Sequence, residues 1–146
     1  MARKKAQKKK PDTTLVPHRT PNLSALLERA KSGDSARAVK SYLDAGGSAG
    51  AHVLTFEASS VEQQMPLLHH MALHHSHPHT ELAECVRLLI DAGADINATD
   101  RDNHYTALMC ASAAGCCTTV LQILLQHGAD VLVATPYGET AISKAY

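Results

Sequence analysis

A chain of 146 residues with zero formal charge, no Trp and a single Phe is long enough to bury the core of one domain, and that core has to be aliphatic. An apolar fraction carried by Leu, Ala, Val and Ile excludes a wholly disordered chain. The zero charge conceals a division: residues 1–20 hold seven of the 14 Lys and Arg and one of the 14 acids, so residues 21–146 carry seven basic against 13 acidic groups, a net of −6.

Residues 1–21 open with RKKAQKKKP and continue through Pro11, Pro17 and Pro21 without any apolar period, which predicts a disordered basic arm. Six Lys or Arg within the first ten residues suit a nuclear-import signal, a patch for nucleic acid or acidic lipid, or a solvated tail. The charged start is not followed by the apolar run of a signal peptide, and a reducing intracellular setting, nucleus and/or cytoplasm, is expected for the four cysteines. Of these, Cys85 and Cys110 fall on apolar helix stripes, whereas Cys116 and Cys117 fall in a turn and lack a second pair at zinc-ligand spacing.

A single domain is expected over residues 22–146. NLSALLERAKSGDSARAVKSYLDAGG predicts a first helix pair, capped by Ser24 or Asn22 and turned inward at Leu23, Leu26, Leu27 and Ala30. An irregular connection from Gly47 to Gln64 follows, with weak alternation over His52 to Phe56 that suits a short strand. Six of the ten histidines then lie between His69 and His79, and His70 and His74 stand one helical turn apart, as a metal pair would. Against a built metal site, neither Cys nor carboxylate joins them before Glu81, and a pH-sensitive loop is the other reading. No metal and no cofactor is assigned.

CVRLLIDAGADINATD, from Cys85 to Asp100, is an amphipathic helix ending at Gly93. Thirty-five residues later VLQILLQHGAD repeats it around Gly128, and AVKSYLDAGGSA is a fainter earlier copy around Gly46, with Gly47 and Ser48 in place of Ala and Asp. Helices this short are not stable alone, so repetition at this period implies stacked units that bury their faces on one another. From Asn103 to Ala129 there is no charged residue, but Ser112, Gly115, Thr118, Thr119 and Gln122 break the stretch into two helices rather than a membrane span.

Thr106, Ala107, Leu108, Met109, Cys110 and Ala111 with Gly115 in one copy, Leu68, His69, Met71 and Ala72 in another, and Tyr137, Gly138, Thr140, Ala141, Ile142 and Ala145 in a last, incomplete one carry a resemblance to the ankyrin repeat family over roughly Asn22 to the end. The chain departs from the family pattern at His104, which stands at the usual turn glycine, and by about 14 extra residues in the second copy. The resemblance implies an all-α solenoid of helix-turn-helix repeats joined by hairpin-like turns, about three repeats plus a truncated fourth. It implies for His69 a hydrogen bond to backbone within the repeat interface. It further implies a concave surface that binds a protein partner, which nominates Glu62, Gln63, Met65, His74, Asp102, Asn103, Tyr105, Ala113, Ala114, Pro136, Tyr137 and Glu139. Within that set Tyr105 and Tyr137 are expected to be anchors, on turn tips with no packing duty.

The function expected is a non-catalytic interaction scaffold. The alternatives are the ankyrin portion of a larger regulatory protein or enzyme, and a nucleic-acid-associated protein using its basic arm. Against catalysis, the chain shows no nucleophile with a base, no phosphate-cradling glycine loop and no paired carboxylates. Against nucleic acid, the acidic body repels phosphate and carries no base-reading motif, which leaves only the arm for that partner or for an import receptor.

Overall fold

The computed structural model describes residues 22–31, 33–56, 62–73, 79–115 and 118–145. The basic arm, His74, Cys116, Cys117 and Tyr146 lie outside the described residues. Helices α1 (Leu23–Lys31) and α2 (Ser35–Asp44) form the first pair, followed by strands β1 (His52–Phe56) and β2 (Glu62–Pro66). Then come α3 (Leu67–Leu73) with α4 (His79–Asp91), α5 (Ala107–Ala113) with α6 (Thr118–Gln126), and the single turn-and-a-bit of α7 (Ala141–Lys144). Each helix packs on its pair mate, while α2, α4 and α6 pack in one row and α3, α5 and α7 in another. The two-row stack is the all-α solenoid expected.

Chain chemistry sets the helix ends. Asn22, not Ser24, caps α1: its side-chain oxygen accepts from the amides of Ser24 and Ala25 at 3.0 and 3.2 Å. Thr106 caps α5 by accepting from Met109 N at 3.3 Å, and Thr140 and Ser143 exchange bonds in a capping box at α7. At the other end of α4 the chain turns through Gly93 at φ +89°, and Ala94 N donates back to Leu89 O at 2.9 Å. This left-handed turn satisfies carbonyls the helix would otherwise leave bare.

The first copy differs from the others for a packing reason. Tyr42 stands where Leu89 and Leu124 stand, four residues before the turn glycine, and is buried with its hydroxyl donating to Ser48 O at 3.4 Å. A β-carbon on Gly47 would overlap the Tyr42 ring, so the larger side chain and the missing methyl are one adaptation. Gly47→Ala alone should destabilise the chain by about 1–3 kcal/mol, whereas Tyr42→Leu with Gly47→Ala should recover most of the loss. Thermal melts of the two single variants and the double variant check this, and additive losses would contradict it.

The part of the second copy's insertion that lies before α3 is a hairpin. The weak alternation over His52 to Phe56 is β1, and its antiparallel partner, β2, was not legible; the register runs from His52 opposite Pro66 to Phe56 opposite Glu62. Val53 and Met65 lie on its core side, 1% and 6% exposed, while His52 and Gln64 face out. Hydrogen bonds also join successive units: Asn97 Oδ1 accepts from Asp130 N at 2.8 Å, and Glu81 Oε2 from Ala36 N at 3.1 Å. Leu132 occupies the place of Asn97 in the last full copy and is 79% exposed.

Candidate partner-binding surface

Two short fingers project beside the β1–β2 hairpin, and each is organised around one buried polar side chain. In the first, Thr99 bridges to Thr106, Asp100 N donates to Tyr105 O at 2.9 Å, and Asp100 is 5% exposed. Its Oδ1 accepts from Asn103 N at 3.0 Å and Tyr105 N at 2.9 Å. The second finger does the same with a shorter side chain over a shorter loop. Thr135, 4% exposed, donates its amide to Glu139 O at 2.8 Å, and its Oγ1 accepts from Tyr137 N and Glu139 N at 3.3 and 3.2 Å. In each finger an inward-aimed oxygen thus takes up two loop amides while the side chains at the tip stay in solvent.

At the tips, Asp102, Asn103 and Pro136 are exposed, and Tyr137 is 86% exposed. Ala113 is exposed and Ala114 half-buried at the end of α5. Glu62 and Gln63 lie in β2. Met65 drops out of the surface set: strand alternation turns it to the core with Val53.

Tyr105 has a packing duty that its sequence position did not disclose. Half-buried against the core, its hydroxyl donates to Glu139 Oε2 at 3.1 Å and accepts from Lys144 Nζ at 2.6 Å. Lys144 also pairs with Glu139 at 2.8 Å and lies 4.5 Å from the Tyr105 ring centroid. The lysine hydrogen bond holds the Glu139 carboxyl below its ordinary range. This cluster fastens α7 to the preceding unit, so of the two tyrosines only Tyr137 is a free aromatic tip.

His69 serves the interface rather than a metal. It is fully buried, and since Tyr105 O can only accept, Nε2 carries the proton and donates to it at 2.9 Å. Nδ1 is then a bare acceptor, and it has no hydrogen-bond partner. Three residues earlier, where Thr106 and Thr140 stand in later copies, the chain has Pro66, which offers neither amide hydrogen nor hydroxyl. Burial pushes the His69 pKa below 6.5, opposed by the Tyr105 carbonyl and the Asp100 charge. Below pH 6.5 the unfolded chain takes up a proton that the folded chain refuses, so stability is full above that pH and falls as pH drops toward the folded pKa. Melts across about pH 7.5 to 5 should show this decline, and His69→Gln should flatten it while lowering the plateau. A slope unchanged by the substitution would contradict the assignment.

Burial raises the thiols of Cys85 and Cys110 to about 12, so both behave as small apolar core groups. No three His, Cys, Asp or Glu side chains converge among the described residues. None of the helices among those residues is long and apolar enough to cross a membrane. One surface feature was not legible in the sequence. His52, Gln64, Thr99, Asp100, Arg101 and His104 line an open cleft between the hairpin and the first finger. The exposed large hydrophobics Leu125, Leu132, Tyr137 and Ile142 all belong to the last part of the stack, where the incomplete last copy is expected to leave apolar surface uncovered.

Residues 26–135 match the family model described as ankyrin repeats, in three copies. The chain is also 33% identical over 90 residues to the glycerophosphocholine phosphodiesterase gde1 of Schizosaccharomyces pombe. That alignment takes in 62% of this chain and 7% of the yeast protein's length.

Proposed function

Because the chain belongs to the ankyrin repeat family, we propose that it is a non-catalytic interaction module, which holds a protein partner along the finger tips and the adjoining ends of α3 and α5. The observation that carries the reading is Tyr137: an aromatic ring 86% exposed on a finger whose own amides are satisfied by Thr135. A rigid ring with a polar tip contributes binding area at low entropic cost. Asp102, Asn103 and Pro136 flank it along the same edge of the stack and supply the polar rim. Ala113 and Ala114, with no long side chains, let a partner approach the helix ends closely.

Tyr137→Ala should weaken partner binding by about 1–2 kcal/mol and leave the melting temperature within a degree or so. The check is calorimetric titration of the partner into both proteins, paired with thermal melts. Equal affinities would place the contact elsewhere.

The likeness to a small part of the yeast phosphodiesterase supports a second reading, in which the stack is the regulatory ankyrin portion of a larger enzyme. Both readings assign the chemistry, if any, to another domain or protein. Fusing or mixing the stack with its enzyme and measuring turnover separates them: a module that only recruits leaves turnover unchanged.

A further inference from the structure

We propose that the cleft between the β1–β2 hairpin and the first finger is an anion-binding notch that receives an acidic side chain from an extended segment of the protein partner; this deepens the interaction reading and rests on it. The cleft has a volume of about 380 Å³ and opens to solvent between His52 and Gln64 on the hairpin and Thr99, Arg101 and His104 on the finger. Arg101 contributes a permanent charge and a planar fork of N–H donors matched to a carboxylate. The imidazoles, the Gln64 amide and the Thr99 hydroxyl add further donors. Asp100 is the one carboxylate in the lining, and its oxygens are occupied by Asn103 N, Tyr105 N and, at 3.5 Å, Asn103 Nδ2. Asp102, exposed at the tip, is not part of the lining. On a body that carries a net −6 over residues 21–146, the lining is formally neutral, Arg101 balancing the buried Asp100, so the notch is a break in the negative surface rather than a positive patch.

His104 supplies an independent argument. Its φ is +57°, and every other positive-φ residue among those described is glycine, including Gly138 at the corresponding place in the second finger. A β-carbon in the left-handed region is a standing cost that glycine would remove. The cost is tolerated where the imidazole overhangs the cleft. The extended form of the ligand follows from the hairpin register. Leu67 N donates to Ala51 O, so in alternation Gln64 falls in a pair whose N–H and C=O point away from β1. That edge offers ladder bonds to an incoming strand, whose acidic side chain would reach Arg101.

The probe is a fluorescein-labelled decapeptide of alternating Glu and Thr, with a Gln-for-Glu twin, titrated by anisotropy into the full chain at low ionic strength. The Glu peptide should bind at least about tenfold more tightly than its twin, and Arg101→Gln should weaken it about fivefold or more. His104→Gly should weaken it about threefold while raising the melting temperature by about 2–5 °C, the opposite signs expected of a residue kept for binding at the expense of backbone comfort. Identical binding by Arg101→Gln, or a lower melting temperature for His104→Gly, would overturn the proposal. So would inorganic phosphate displacing the peptide at equal concentration, since the site would then take any free anion. The peptide is read without the partner. If Tyr137→Ala keeps full partner affinity while Arg101→Gln loses the peptide, the finger-tip reading fails and the notch stands; if the reverse holds, the notch fails alone.

Discussion

Leu89→Ala should remove about 3–4 kcal/mol of folding free energy, a large part of what a domain of this size possesses. Leu89 is fully buried on α4, the helix that packs against both α2 and α6. The cavity would therefore open at the centre of the row, where neither neighbour can close on it without leaving the other. Leu125, on α6, is 48% exposed, and its change to Ala should cost under about 1 kcal/mol because little apolar surface leaves water there. Urea denaturation of both variants makes the comparison. Equal losses would mean that the outer side of α6 is covered in solution.

Asp100→Ala ranks next, with an expected loss of about 2–3 kcal/mol. The carboxylate is buried and accepts the amides of Asn103 and Tyr105, and truncation strands both donors in a loop too tight for each to find water. The damage should spread, because Tyr105 O also accepts from His69 and the Tyr105 hydroxyl anchors Lys144. Asp100→Asn is the control. Its side-chain oxygen can still accept both amides, so it should cost less than half as much as the Ala change. If Asn is as damaging as Ala, the negative charge rather than the hydrogen bonds organises the finger.

The difference between those two predictions shows how much the sequence discloses. Leu89 was legible, because burial follows from apolar residues at helical spacing before a glycine, and the same pattern recurs around Gly46 and Gly128. The buried role of Asp100 was not, since an acid in a polar turn has the composition of any solvated loop. Periodicity carries information about which face of an element is inward, and none about where an irregular loop aims a side chain. The same limit explains β2: GluGlnGlnMetPro has little strand propensity, and it is held as a strand by pairing with β1 and by Met65 entering the core. It explains Tyr105 as well, whose partners Glu139 and Lys144 lie 34 and 39 residues away in sequence. His104 was visible as a departure from the repeat pattern, and only its φ and its place over a cleft give that departure a meaning.

The central claim is that a protein partner sits on the finger edge of the stack rather than on its helical back. A photoreactive amino acid placed at Tyr137, and in a second protein at Arg87 on the exposed side of α4, tests it directly in cells. The account predicts a discrete crosslinked adduct from position 137, lost when the partner is depleted, and none from position 87. An adduct formed from position 87 alone would contradict it.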